Sequence, residues 1–168
     1  ARRRKGVLSQ PEDPSIDFLT RLEEIIAWRD GNAPGKEIWI TEFGWDASTQ
    51  SPDPQGGFAQ WEDVSDLQQA QYIVRSWLVF SAMDIDRAYL FWFNDEDEPQ
   101  LHGSSGLTRH GEAKPSFHAV AQLQTSLGGL RLDRILRSDV GEAYVYAYVD
   151  PADPERECWV AWSPTGDD

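Results

Sequence analysis

Three absences narrow what this sequence can be. Cys158 is the one cysteine among 168 residues, so the chain can form neither an intramolecular disulfide nor a cysteine metal cluster. No apolar run approaches the roughly 18 residues that a membrane-spanning helix requires, so we expect no membrane segment. Basic residues are scarce as well, since 15 Lys and Arg stand against 29 Asp and Glu, for a formal charge of −14. Such a chain lacks the cationic face that binds phosphate, which argues against a nucleic acid partner.

The N-terminus lacks an initiator methionine and an apolar signal region, and it carries only a basic run at residues 2–5. We interpret this run as a solvated end or a cut loop rather than a nucleic-acid arm. The chain is therefore interpreted as a mature or truncated product. Its localisation stays unknown, with an extracellular or periplasmic site slightly favoured.

The residues that are present suffice for a folded core. The chain is 40% hydrophobic and 12% aromatic, with eight Trp, unlike the composition of a disordered chain. Over the first 128 residues, helical and extended patterns alternate, which predicts an α/β fold with a parallel sheet covered by helices. Residues 87–93 are nearly all apolar, as is typical of a strand buried on both faces. The predicted order is helix 15–30, strand 36–43, helix 65–83, strand 87–93 and helix 115–127.

After Gly129 the apolar period changes to two. Residues 130–137, 142–149 and 157–163 read as short strands separated by turn residues, which predicts a small antiparallel sandwich or meander. Three tyrosines share one face of the middle strand. They indicate core packing or a covered sheet face, with a sugar-binding platform as the alternative. These tyrosines are Tyr144, Tyr146 and Tyr148.

Glu42 is the most informative residue, because it ends an apolar strand. A carboxylate in that position is costly unless it is paired or hydrogen-bonded. In an α/β barrel, polar residues at the C-terminal ends of strands line the active site. Strand alternation predicts that Ile38, Ile40 and Glu42 share one side, and Trp45 offers a flat face for a sugar ring. From these residues alone, a catalytic role and a structural role for Glu42 both stay open.

Other polar groups are weaker candidates. Four acids at residues 95–98 follow the second strand, where they form a solvated loop or bind sugar hydroxyls or Ca²⁺. The three histidines lie on a loop, a turn and a helix, so we expect no metal site.

Three segments, in order, resemble clan A glycoside hydrolases, closest to family 39-like and family 5-like members. The sequence IWITEFGW at residues 38–45 resembles the seventh barrel strand of that group, which ends in the nucleophilic Glu. Residues 87–95 are similar to the eighth strand, where a Trp floors the subsite of the sugar being cleaved. Residues 106–119 resemble the passage that opens the last barrel helix.

The resemblance implies that residues 1–128 are the last strands and helices of a (β/α)8 (TIM) barrel. Residues 129–168 would then begin an antiparallel β-sandwich-like domain that is incomplete. The implied activity is a retaining glycoside hydrolase that cleaves a polysaccharide or glycoside and uses no cofactor and no metal. Glu42 would be the nucleophile. The residues expected near the substrate are Trp92, Trp45, Asn94 and Asp95.

The chain departs from this family in length. A barrel needs roughly 200 residues or more, and the acid/base Glu, which the group carries on strand four, is absent. We therefore expect a missing barrel segment or a second chain to complete the exposed sheet edges and the site. The alternative interpretation is a non-catalytic carbohydrate-binding or scaffold fragment.

Overall fold

The computed structural model describes residues 8–165, so the basic run at residues 2–5 lies outside the described residues. Within this range no helix is both long and apolar enough to cross a membrane. The helices are α1 (Phe18–Asn32), α2 (Asp66–Ser81) and α3 (Pro115–Leu127). The strands are β1 (Trp39–Phe43), β2 (Arg87–Leu90), β3 (Asn94–Asp95), β4 (Thr108–Arg109), β5 (Glu112–Ala113), β6 (Arg131–Ser138), β7 (Tyr144–Asp150) and β8 (Asp153–Trp162).

The first sheet consists of β1 and β2, which pair in parallel. The helix α2 between them begins at the predicted capping box, in which Ser65 and Gln68 cap each other's backbone N–H groups. One face of this sheet packs on the helices through a core that includes Leu22 of α1, Phe43 of β1 and Ile73 of α2. The predicted alternation of helices with parallel strands is confirmed for these elements.

The opposite face of the first sheet is left uncovered by the part of the chain that the structure describes. Trp39 is 50% exposed and Tyr89 is 47% exposed, and their rings lie 6.3 Å apart. The Arg87 guanidinium lies over the Trp39 ring at 5.1 Å. The prediction that residues 87–93 are buried on both faces is therefore wrong for this chain, because only the helix side of β2 is covered. Parallel sheets are ordinarily buried on both faces.

The second sheet is small and has the order β3, β4, β5. The third sheet is antiparallel in the order β6, β7, β8, as the period-two pattern predicts. Its tyrosine-bearing face packs against Leu78 of α2 and against partly buried Leu123 and Leu127 of α3. The three tyrosines are at most 6% exposed, so they are core residues and form no platform. The predicted antiparallel strands are confirmed, and so is the interpretation of the tyrosines as core residues.

A buried ion pair between Glu12 and Arg75 connects the N-terminal segment to α2 and to the third sheet. The Glu12 carboxylate accepts hydrogen bonds from the Arg75 guanidinium at 2.9 and 2.7 Å and from the indole N–H of Trp162 at 2.7 Å. Arg75 also donates to the carbonyl oxygen of Pro164 at 2.9 Å. Since Arg75 lies on α2, this clamp holds the third sheet on the helical layer.

Candidate active site

A β-bulge decides where the side chain of Glu42 lies. Between the pairs Ile40–Ala88 and Phe43–Leu90, β1 has one residue more than β2. Ile40 and Phe43 therefore both face the helical core, where Phe43 is 7% exposed. Glu42 is turned away from that core and is exposed. The predicted alternation, with Glu42 on the side of Ile40, is wrong because the bulge resets the strand's phase.

The Glu42 side chain lines an open cavity of about 250 Å³. Hydrogen bonds and ion pairs to its carboxylate are absent from the described part of the chain. A carboxylate that is exposed and unpaired is free to act on a ligand. The cavity is lined by Ile16, Phe18, Arg21, Glu42, Phe43, Gly44 and Trp45.

Trp92 comes shortly after the end of β2, which is the strand that pairs with β1. The Phe91 N–H donates to the Phe43 carbonyl at 2.9 Å, so Glu42 and Trp92 each lie one residue from a hydrogen-bonded pair. Trp92 is 43% exposed and its ring stacks on Phe91, with centroids 5.2 Å apart. A Cβ on Gly44 would lie 2.7 Å from the Phe91 carbonyl oxygen, so only glycine allows this approach of the two strand ends. Trp92 does not line the Glu42 cavity.

Asp95 is a structural residue and not a substrate-facing one. Its side chain is 0% exposed. The carboxylate accepts hydrogen bonds from the Gly106 N–H at 2.7 Å, the Asp97 N–H at 3.1 Å and the Lys114 ammonium at 3.2 Å. The expectation that Asp95 binds sugar hydroxyls is corrected, because these protein donors already use its oxygens.

Asn94 has the same kind of role. Its amide oxygen accepts from the Thr108 hydroxyl at 2.9 Å and from the Gly111 N–H at 2.6 Å. Asn94 is only half-buried, but its acceptor is committed to the hairpin formed by β4 and β5. Protein donors thus occupy its amide oxygen, and its expected place beside the substrate stays a prediction.

Trp45 belongs to the core rather than to a sugar-binding surface. It is 5% exposed, its indole N–H donates to the Ser9 carbonyl at 3.0 Å, and its ring meets Tyr72 edge-on at 5.6 Å. A ring covered in this way leaves no open face on which a pyranose could stack.

Two further acids in the loop after β2, Asp97 and Glu96, lie in different environments. Asp97 is 3% exposed and accepts hydrogen bonds from Thr49 at 2.8 and 2.5 Å and from Gln50 at 3.1 Å. Burial alone would raise the pKa of Asp97, but these hydrogen bonds and the Arg109 guanidinium hold the pKa well below its usual value. Glu96 is exposed, and the partner that its carboxylate reaches within residues 8–165 is His110, at 3.3 Å. The interpretation of residues 95–98 as a solvated loop is thus wrong for Asp95 and Asp97.

Lys114 is the residue of this region whose role sequence reasoning missed. It is 2% exposed, and its ammonium donates to the carbonyl oxygens of Ser104 at 2.9 Å and Ala47 at 3.2 Å as well as to Asp95. Burial lowers the pKa of the Lys114 ammonium, and the Asp95 carboxylate opposes this shift. Lys114 thereby joins the loops that follow β1 and β2. The Lys-Pro sequence at the start of α3 was the available signal, but it does not show that Lys114 is buried against Asp95.

Across residues 8–165, His, Cys, Asp and Glu form no group of three or more that could hold a metal ion. The candidate site consists of the exposed Glu42 carboxylate, the exposed Trp92 and the loops that follow β1 and β2.

The fold has a known counterpart. No protein-family model matches the chain, and no curated protein matches it. Among solved structures, the chain is similar to a family 39 glycoside hydrolase from the gut symbiont Bacteroides cellulosilyticus WH2, with a TM-score of 0.60. The two are 22% identical over 85% of this chain and 26% of that one. This chain thus spans about a quarter of the length of that protein. At this identity the likeness shows a shared fold.

Proposed function

We propose that this chain is the nucleophile-bearing part of a retaining glycoside hydrolase with a (β/α)8 barrel, and that Glu42 is the nucleophile. The observation that carries the proposal is the position of Glu42. The bulge turns an unpaired carboxylate out of the core at the C-terminal end of a parallel strand, and the neighbouring strand leads into the exposed Trp92. The likeness to part of a family 39 glycoside hydrolase supports the same assignment.

In this mechanism the Glu42 carboxylate attacks the anomeric carbon, and the bond to the leaving oxygen breaks as that oxygen is protonated. Water then cleaves the glycosyl ester and the sugar is released with its original configuration. Trp92 offers its exposed ring to the sugar bound at the site. The substrate is a polysaccharide or glycoside, and no cofactor enters the reaction.

A retaining enzyme needs a second carboxyl group about 5–5.5 Å from the nucleophile to act as proton donor. Asp95 and Asp97, on the loop after the neighbouring strand, are buried and held by hydrogen bonds from the protein. They are therefore poor proton donors. We propose that the acid/base comes from a missing barrel segment or from a second chain.

The bare face of the first sheet supports the same view. Two large aromatic rings, Trp39 and Tyr89, are about half exposed on a parallel sheet whose other face is covered. We propose that the further barrel strands cover these rings and pair with the free edges of β1 and β2.

The test is covalent trapping in the full-length protein that carries this chain. A panel of 2-fluoro aryl glycosides should label the wild type at one site, and peptide mass mapping should place the sugar on Glu42. Glu42→Gln should abolish labelling and lower kcat by several orders of magnitude. Glu37→Gln is the matched control, because Glu37 is an exposed carboxylate just before the same strand.

Turnover that survives Glu42→Gln, or a label on another residue, would overturn the assignment. The isolated 168-residue chain should fail to hydrolyse unactivated oligosaccharides, since their leaving groups need protonation. Full activity of the isolated chain would show that the acid is present within it. The alternative function, a non-catalytic carbohydrate-binding fragment, predicts that neither the full protein nor the Gln variant is labelled.

A further inference from the structure

The outward face of the third sheet carries a surface that the proposed active site does not use. Bulges in β6 occur between Leu132 and Arg134 and between Ile135 and Arg137, so every third residue of that strand faces outward. The tyrosine-bearing side of the sheet packs on α2 and α3, so the arginine-bearing side is the one that faces away from the helices. The cross-strand neighbours on it are Arg131, Arg134 and Arg137 from β6, Val149, Ala147 and Val145 from β7, and Glu157, Trp159 and Ala161 from β8.

Trp159 lies at the middle of this face and is 61% exposed. Its cross-strand neighbour Ala147 is 0% exposed, although it lies on the open side of the sheet. The side chains that flank Ala147, Trp159 on one strand and Arg134 on the other, therefore close over it. The Arg134 guanidinium reaches across the central strand to the Glu157 carboxylate. A broad aromatic ring is thus flanked by a planar donor and a planar acceptor.

The charges on this face argue against burial under further protein. Covering three arginines would remove their charges from water, which is costly unless every one is paired and hydrogen-bonded. The charges also argue against an anionic ligand, because Arg134 pairs with both Asp133 and Glu157 and Arg137 pairs with Glu142, so that among the described residues only Arg131 of the three lacks an ion pair. A neutral ligand that is apolar on one side and rich in hydroxyls at its edge fits both properties.

We propose that this face binds a neutral polysaccharide chain, with Trp159 stacking on a pyranose ring. The C–H face of the sugar would lie on the indole. The Arg134 guanidinium would donate to the sugar hydroxyls and the Glu157 carboxylate would accept from them. The site lies outside the Glu42 cavity. The choice of a sugar as ligand rests in part on the proposed glycosidase function.

The experiment is affinity electrophoresis of the full-length protein in gels that contain arabinoxylan, mixed-linkage β-glucan or galactomannan, with polygalacturonate as the anionic probe. At least one neutral polysaccharide should retard the wild type. Trp159→Ala should raise the apparent Kd about tenfold or more. The matched control is Trp28→Ala, since Trp28 on α1 is 63% exposed and should leave the retardation unchanged.

The outcomes separate this proposal from the one for Glu42. Retardation that persists in Glu42→Gln and is lost in Trp159→Ala supports the binding face whether or not Glu42 proves to be the nucleophile. No retardation by any neutral polysaccharide would overturn the proposal, as would retardation by polygalacturonate alone. Equal losses in the Trp28 and Trp159 variants would also overturn it. A change of oligomeric state in Trp159→Ala would show that protein covers this face instead.

Discussion

The buried pair of Lys114 and Asp95 should dominate the stability of the loops around the candidate site. The two side chains are at most 2% exposed, and the nitrogen–oxygen distance is 3.2 Å. Lys114→Met removes the ammonium and leaves the buried Asp95 carboxyl group without its cationic partner. It also leaves the carbonyl oxygens of Ala47 and Ser104 without this donor. Removing one member of a buried ion pair typically costs about 3–5 kcal/mol, so we expect a loss of that size in the free energy of unfolding.

The assay is urea unfolding of single and double variants at fixed pH, with the midpoint and the slope fitted separately. Asp95→Asn should also destabilise, because it weakens the acceptor for Lys114. The double variant should lose less than the sum of the two single losses, by roughly 1–3 kcal/mol, since the second change removes a charge that is already unpaired. The matched control is Arg137→Met, which breaks an ion pair with Glu142 whose side chains are 53% and 59% exposed. Such an exposed pair is worth at most about 1 kcal/mol.

The proposed role of the buried pair fails if Lys114→Met lowers the free energy of unfolding by no more than Arg137→Met does. It also fails if the Lys114 and Asp95 losses add fully, because additivity means that the two groups do not interact. A changed slope in urea would indicate that the variant no longer unfolds in one step, and the comparison would then require hydrogen exchange at the loop amides.

Three further perturbations test other contacts. The pKa of Asp97 is lowered in the folded state, so the stability that its carboxylate contributes is present above about pH 4 and is lost as pH falls; Asp97→Asn should flatten the fall of Tm between about pH 5 and pH 2. Gly44→Ala should lower the free energy of unfolding by about 1–3 kcal/mol because its Cβ would meet the Phe91 carbonyl oxygen, whereas Gly57→Ala, with open space around it, should change little in the same urea titration. Glu12→Gln leaves a buried arginine without its bidentate carboxylate and should lower Tm by several degrees in a thermal scan.

Local signals in the sequence predicted the helices well. The capping box at Ser65 fixes the start of α2, and Pro115 fixes the start of α3, because each residue acts on the turn that contains it. The period-two pattern after Gly129 likewise predicted the antiparallel sheet. These features depend on neighbours along the chain, so one sequence suffices to find them.

Long-range polar contacts were not predictable in the same way. Asp95 and Lys114 are 19 residues apart and meet only because two loops fold over each other. An acidic run reads as solvated whether or not a distant lysine is buried against it. Trp45 presents a similar ambiguity, since a large aromatic residue after a strand suits a core as well as a sugar-binding surface.

The bulge in β1 shows why the environment of Glu42 required a structure. The strand's composition predicts an extended segment, but no hydrophobic pattern reports one extra residue in its pairing with β2. Without the bulge, Glu42 would point to the same side as Ile40, into the cluster built around Phe43 and Phe80, where a lone carboxylate would be strongly unfavourable. With the bulge, Phe43 fills that place and the carboxylate reaches open space. The resemblance to glycosidases at this strand therefore depends on a backbone irregularity as much as on the glutamate. A variant that removes the extra residue should destroy the candidate site and the core together.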